Sequence, residues 1–129
     1  MNSGIREAVG ADWRSIVDEL RNERWHVYVL PTDVVDKSSF FAAVRATMPL
    51  DPPVIGDRWD ALSDSLFEGF LSSEHHRIAI VWPCSTTMAK EAPRKDFENA
   101  RGVLGDVADD LSDLEATEGR PKTLAVVLT

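Results

Sequence analysis

"HRIAIVWP", His76 to Pro83, is the stretch that decides the fold. Ile78 to Trp82 is an unbroken apolar run, and a proline closes it. A strand wetted on one face alternates polar and apolar residues; this one does not, so it is covered on both faces, as in the middle of a parallel sheet. Two other stretches share its character. "WHVYVLP", Trp25 to Pro31, and "TLAVVLT", Thr123 to Thr129, are rich in β-branched residues and predict strands. Helical spacing fills the intervals. "DKSSFFAAVRATM" has Asp36 or Ser38 as N-cap and Phe40, Phe41 and Val44 as its apolar stripe. "DRWDALSDSLFEGF", Asp57 to Phe70, predicts a second helix that continues to about Leu71. "RKDFENARGVLGDVADDLSDLE" predicts a long one, with Phe97, Ala100, Leu104, Val107, Leu111 and Leu114 on one face. Before the first strand, Ile5, Val9, Trp13, Ile16, Val17 and Leu20 recur at spacings of three and four, which predicts an amphipathic helix over at least the second half of residues 1–24. "PLDPPVIG" is a proline-stiffened loop with Gly56 free to turn, "CSTTMAKEAP" a loop and "EGRPK" a turn. Strands separated by helices imply parallel pairing with crossovers. The expectation is α/β: a small three-stranded parallel sheet packed by helices, with an extra N-terminal helix.

The chain of 129 residues fits a single domain, read as an N-terminal extension over 1–24 and a core over 25–129. A net charge of −8 removes the basic stripe that a nucleic-acid binder needs, and for the same reason argues against an anionic membrane. A basic protein is the natural complement of such a charge. The single cysteine, Cys84, can form no internal disulfide and supplies no CxxC metal knuckle. No stretch has the pattern of a signal peptide or the length of a membrane span, so a soluble cytoplasmic protein is expected.

The chemistry-bearing feature is the helix from Asp57. At about 100° per residue, Asp60, Asp64 and Glu68 fall within about 60° of Asp57. Trp59, Leu62, Leu66 and Phe70 gather on the opposite side, toward a core. Like charges four apart, as in Asp60–Asp64 and Asp64–Glu68, cost a helix roughly 0.2–0.5 kcal/mol per pair. Asp57 can cap the helix and Asp60 gains from its dipole, but Asp64 and Glu68 gain neither. Three explanations stand at this point: a solvated acidic face, a face kept negative for a cationic site on another molecule, or a hard-metal site. The last fits worst, because carboxylates along a regular helix fan out rather than converge as they do on a calcium-binding loop.

The remaining candidates are weak. Adjacent His75 and His76 point to opposite faces of an extended chain, and His26 has no recognisable partner in the sequence. Cys84 has no paired base and reads as a buried or half-buried small residue. Ser85, Thr86 and Thr87 lack a glycine-rich cradle, and the tryptophans at 13, 25, 59 and 82 read as core. No hydrolase, zincin or dinucleotide fingerprint is present, so neither an enzyme nor a cofactor is expected.

"LDPPVIGDRWDALSDSLFEGF" resembles the signature of the barstar family, intracellular inhibitors of secreted guanyl-preferring ribonucleases. Pro52, Gly56, Asp57, Asp60, Ala61, Leu62 and Asp64 carry the resemblance, with "IVWP" and "TLAVVLT" similar to that family's middle and last strands. The resemblance spans roughly residues 26 to 129. It implies that the loop and acidic helix plug a ribonuclease active site in a one-to-one complex. Asp64 then matches the central anchoring aspartate and Asp60 a second interface acid. Asp109 matches an acid on the third helix of the family core, with Asp110 close behind. Val54 and Ile55 stand where the family has paired tyrosines and Ser63 where it has a tryptophan, which implies a ribonuclease different from the best-known target. Gly56 and the 52–55 loop position the contact, Asp57 serves as a cap and Glu68 as a steering charge at the rim. The rivals are an immunity or adaptor protein for another basic target, such as a different nuclease toxin, and a metal-binding module on the acidic face.

Overall fold

The computed structural model describes residues 1–129. The chain order is β1 (Gly4–Glu7), α1 (Trp13–Asn22), β2 (His26–Val29), α2 (Lys37–Thr47), α3 (Trp59–Ser72), β3 (Arg77–Trp82), α4 (Ser85–Glu91), α5 (Arg94–Ser112) and β4 (Thr123–Leu128). The sheet is parallel throughout, in the order β1-β4-β3-β2. β3 lies inside it with Ile78 to Trp82 fully buried, as its unbroken apolar run requires.

The sheet has four strands, not three. Residues 4–7 are not helical: Gly4 and Gly10 take positive φ, at 115° and 84°, and α1 begins only after Asp12, whose carboxylate caps it by accepting the Arg14 N–H. Freed from the helix, Gly4 to Glu7 pair with Ala125 to Leu128 and close the outer edge of β4. With one large apolar residue, Ile5, this strand left too little pattern to recognise. Val9, counted toward the predicted helix, is exposed at 65%.

Alternation along the strands sends side chains to two cores. On one face, Ile78, Ile80, Trp82, Leu124, Val126 and Leu128 pack with α2, α3, α4 and α5. On the other, Ala79, Val81, Ala125 and Val127 meet Val17, Leu20 and Trp25. The segment 1–24 therefore makes the sheet two-sided, by a strand at its edge and a helix over its second face.

Asp36 caps α2 in a reciprocal capping box with Ser39. The expected loop after β3 instead holds α4, a seven-residue helix anchored by buried Met88. Cys84 begins it in a left-handed conformation and is exposed rather than buried. His26 does have a partner: its ring lies parallel to that of His75, with centroids 3.6 Å apart. Trp25 and Trp82 are buried as expected, whereas Trp13 and Trp59 are only half-buried.

Candidate functional site

The loop before α3 is held from two sides. Arg45 of α2 donates from Nε to the Val54 carbonyl at 2.9 Å and from Nη2 to the Gly56 carbonyl. The same Nη2 pairs with the Asp57 carboxylate at 3.0 Å. From α3, the buried Ser65 hydroxyl donates to the Pro52 carbonyl, and the Ser65 carbonyl accepts the Asp51 N–H. Gly69 allows the loop to lie directly on the helix: a Cβ there would stand 2.0 Å from the Pro49 oxygen. Gly56 turns the chain at φ 80°. The result is a fixed loop that buries Val54 and projects Ile55, which is 93% exposed.

Asp57 does not cap α3. Arg58 occupies the cap position without a side-chain cap bond, and Asp57 is spent on Arg45 instead. Asp60 lies in the first turn. The Ala61 N–H and the Arg58 guanidinium, 2.8 Å away, hold its carboxyl below the ordinary value of 3.8. Both partners of that ion pair are more than 70% exposed, so it contributes little to folding. Asp64 and Glu68 make neither ion pair nor hydrogen bond within the chain. Leu62, Leu66 and Phe70 on the opposite side are fully buried, so the division of the helix into an acid face and a core face is as the spacing predicts.

Between α3 and α5 runs a groove of about 420 Å³. Trp59, Asp60, Ser63 and Asp64 line it from α3; Glu98, Asn99, Gly102, Val103 and Asp106 line it from α5. Four carboxylates face it and no basic side chain does. Trp59 forms its apolar wall, seated on Phe41 at 4.8 Å and Phe40 at 5.9 Å. Gly102 leaves the α5 side open, since a Cβ there would meet nothing within 4 Å.

Of the residues singled out in the sequence, the groove brings together Asp60, Ser63 and Asp64. Val54, Ile55, Gly56 and Asp57 form the adjoining loop. Glu68 is exposed on α3 outside the groove lining, and Asp109 is exposed on α5 one turn beyond Asp106. The acid that α5 places across from Asp64 is therefore Asp106, and Glu98 joins it from two turns earlier. Periodicity could have found both, since Glu98, Gly102 and Asp106 recur every four residues. Arg45 was also missed, because nothing in the sequence ties an arginine of one helix to a loop nine residues later.

No helix is long and apolar enough to cross a membrane, and no three His, Cys, Asp or Glu side chains converge as a metal would require. Fold and surface together define a small parallel α/β protein that presents a rigid loop and an acidic groove on its helical side. The family model described as Barstar (barnase inhibitor) matches residues 25–129, and the chain belongs to that family. No curated protein and no solved structure matches it. At the level of the family, it is a ribonuclease inhibitor of the barnase-directed type.

Proposed function

We propose that the chain inhibits a basic, secreted, guanyl-preferring ribonuclease by seating the 52–57 loop and the acid face of α3 in the enzyme's active site, one inhibitor to one enzyme, inside the cell that makes the enzyme. The observation that carries this reading is Asp64: a carboxylate on a rigid helix, beside an acid-lined groove, with no counter-charge of its own. A ribonuclease active site is cationic because it binds phosphates, and it supplies the missing charge. Asp64 can meet such a site through charge-assisted hydrogen bonds without first breaking internal ones, whereas Asp60 exchanges its exposed pair with Arg58. Asp64 is the anchor, Asp60 the second contact, and Ile55 the apolar contact from the loop. Ser63 and Gly56 let the partner approach closely. Asp57 contributes through the loop it fixes, Glu68 steers from the rim, and Asp109 extends the negative surface along α5. The net charge of −8 accelerates encounter with a basic enzyme, the effect known best from the barnase–barstar pair.

Mixing the protein with a panel of guanyl-preferring secreted ribonucleases and following RNA cleavage tests the reading. Stoichiometric loss of cleavage with at least one enzyme supports it; full activity across the panel overturns it. Recovery of a basic nuclease of another class in a pull-down supports the rival immunity role.

A further inference from the structure

The segment before residue 25 lies outside the family match, yet it touches the helix that forms one wall of the groove. In β1, Ile5 and Glu7 point to the same face as their pairing partners Val126 and Leu128, the face covered by α5. Ile5 meets Gly105 so closely that a Cβ there would lie 3.3 Å from Ile5 Cδ1. Glu7 Oε1 accepts from Arg101 Nη2 at 3.0 Å. Gly105 immediately precedes Asp106, and Arg101 immediately precedes Gly102, both of which line the groove. The two contacts thus brace the flank of α5 that lies over β1, within the same turns that carry the groove.

We propose that β1 is a positioning element for partner binding: Ile5, with Glu7 in support, sets how far α5 stands from α3 and hence the width of the acidic groove. The proposal rests on the inhibitor reading for its consequence but not for its geometry. A helix packed on a sheet sits at the distance its contact side chains allow. Gly105 has no side chain with which to hold that distance, so Ile5 fills the space against it, beside the buried Leu104 and Ala108 that seat the same turn on the sheet. Removing the Ile5 side chain lets α5 settle toward β1 and away from Trp59, and carries Asp106 with it. The charge of the groove is unchanged; its spacing is not, and preformed spacing is what a carboxylate cluster contributes to a tight complex.

The test compares Ile5→Ala with Leu20→Ala. Leu20 is buried in the other core, under α1, and its truncation destabilises the fold without touching α5. Two readouts are followed in the full chain. One is the NMR cross-peak of the Trp59 indole N–H, which reports the groove from the α3 side. The other is the dissociation rate from whichever ribonuclease the protein inhibits. Ile5→Ala is expected to shift the Trp59 cross-peak and speed dissociation about three- to tenfold. Ile5→Val, which removes only the Cδ1 methyl that faces Gly105, is expected to give a smaller change of the same sign in both, and Leu20→Ala to lower the melting temperature while moving neither. Equal effects of Ile5→Ala and Leu20→Ala, or none from Ile5→Ala, overturn the proposal. Should Ile5→Ala fail to fold, Glu7→Gln gives the same comparison with a smaller displacement. If the wild-type protein inhibits no ribonuclease, the inhibitor reading falls, and the Trp59 cross-peak alone decides whether β1 positions the groove.

Discussion

Asp64 and Arg45 show two opposite uses of charge on one surface. Asp64 is left without a partner, whereas Arg45 is fully committed to the Val54 and Gly56 carbonyls and the Asp57 carboxylate. Removing either should weaken inhibition, but for different reasons. Asp64→Ala is expected to lower affinity at least about tenfold, chiefly through faster dissociation, with a melting temperature unchanged or slightly raised as a repulsion with Asp60 and Glu68 disappears. Arg45→Ala is expected to cost about 1–2 kcal/mol of folding stability in denaturant titration, since the part-buried Val54 carbonyl and the exposed Gly56 carbonyl both lose a charged donor. Gly69→Ala separates packing from charge. Its Cβ would collide with the Pro49 carbonyl, so either the loop lifts or the helix shifts, at a cost of about 1–3 kcal/mol. A Gly69→Ala protein as stable as the wild type would contradict the seating of the loop on α3.

At the scale of elements, legibility followed length and periodicity. β3 was plain because its apolar run has no alternation, and α3 because its acids and apolar residues separate cleanly at helical spacing. β1 was not, because four residues with one large apolar side chain carry no period; what makes them a strand is the free edge of β4, a fact about another part of the chain. α4 was missed for a similar reason: seven residues that depend on Met88 for anchorage. Asp60, Ser63 and Asp64 line the groove from the α3 face that helical spacing predicts, while the α5 lining holds Asp106 rather than Asp109, because the facing of two helices is settled by packing. α5 also carries a strain of its own. Asp106, Asp109, Asp110 and Asp113 crowd its C-terminal end, where the helix dipole disfavours anions and no basic residue stands in the last turn. Partial burial and then the neighbouring acids raise the Asp110 carboxyl above its ordinary 3.8. A raised acid holds its proton more tightly in the folded state, so this group favours folding only at low pH and opposes it once ionised. Asp110→Asn is therefore expected to stabilise the protein near pH 7 by about 0.5 kcal/mol, read as a higher melting temperature, and to lose that advantage toward pH 3.

Across the whole molecule, charge and stability respond to solution conditions in ways the fold fixes. Burial foremost, then His75 stacked on it and Arg21 nearby, lower the His26 value below 6.5, with Glu74 opposing. Below 6.5 the unfolded chain takes up this proton before the folded chain does, so stability falls as pH drops from about 6.5 and recovers as it rises. Thermal melts at pH 7.5 and 5.5 should show that slope, and His26→Gln should flatten it. Added salt should slow association with a basic ribonuclease far more than it speeds dissociation, because steering acts before contact. One consequence of the sheet order concerns time rather than energy. β1 is made long before its neighbour β4; the Ser3 hydroxyl accepts the Leu124 N–H across 121 residues of chain. α1 likewise rests on Ala125 and Val127. On the ribosome residues 4–22 must therefore wait, their apolar face uncovered, until Thr123–Leu128 emerge, so a segment made more than a hundred residues earlier locks into place only with β4.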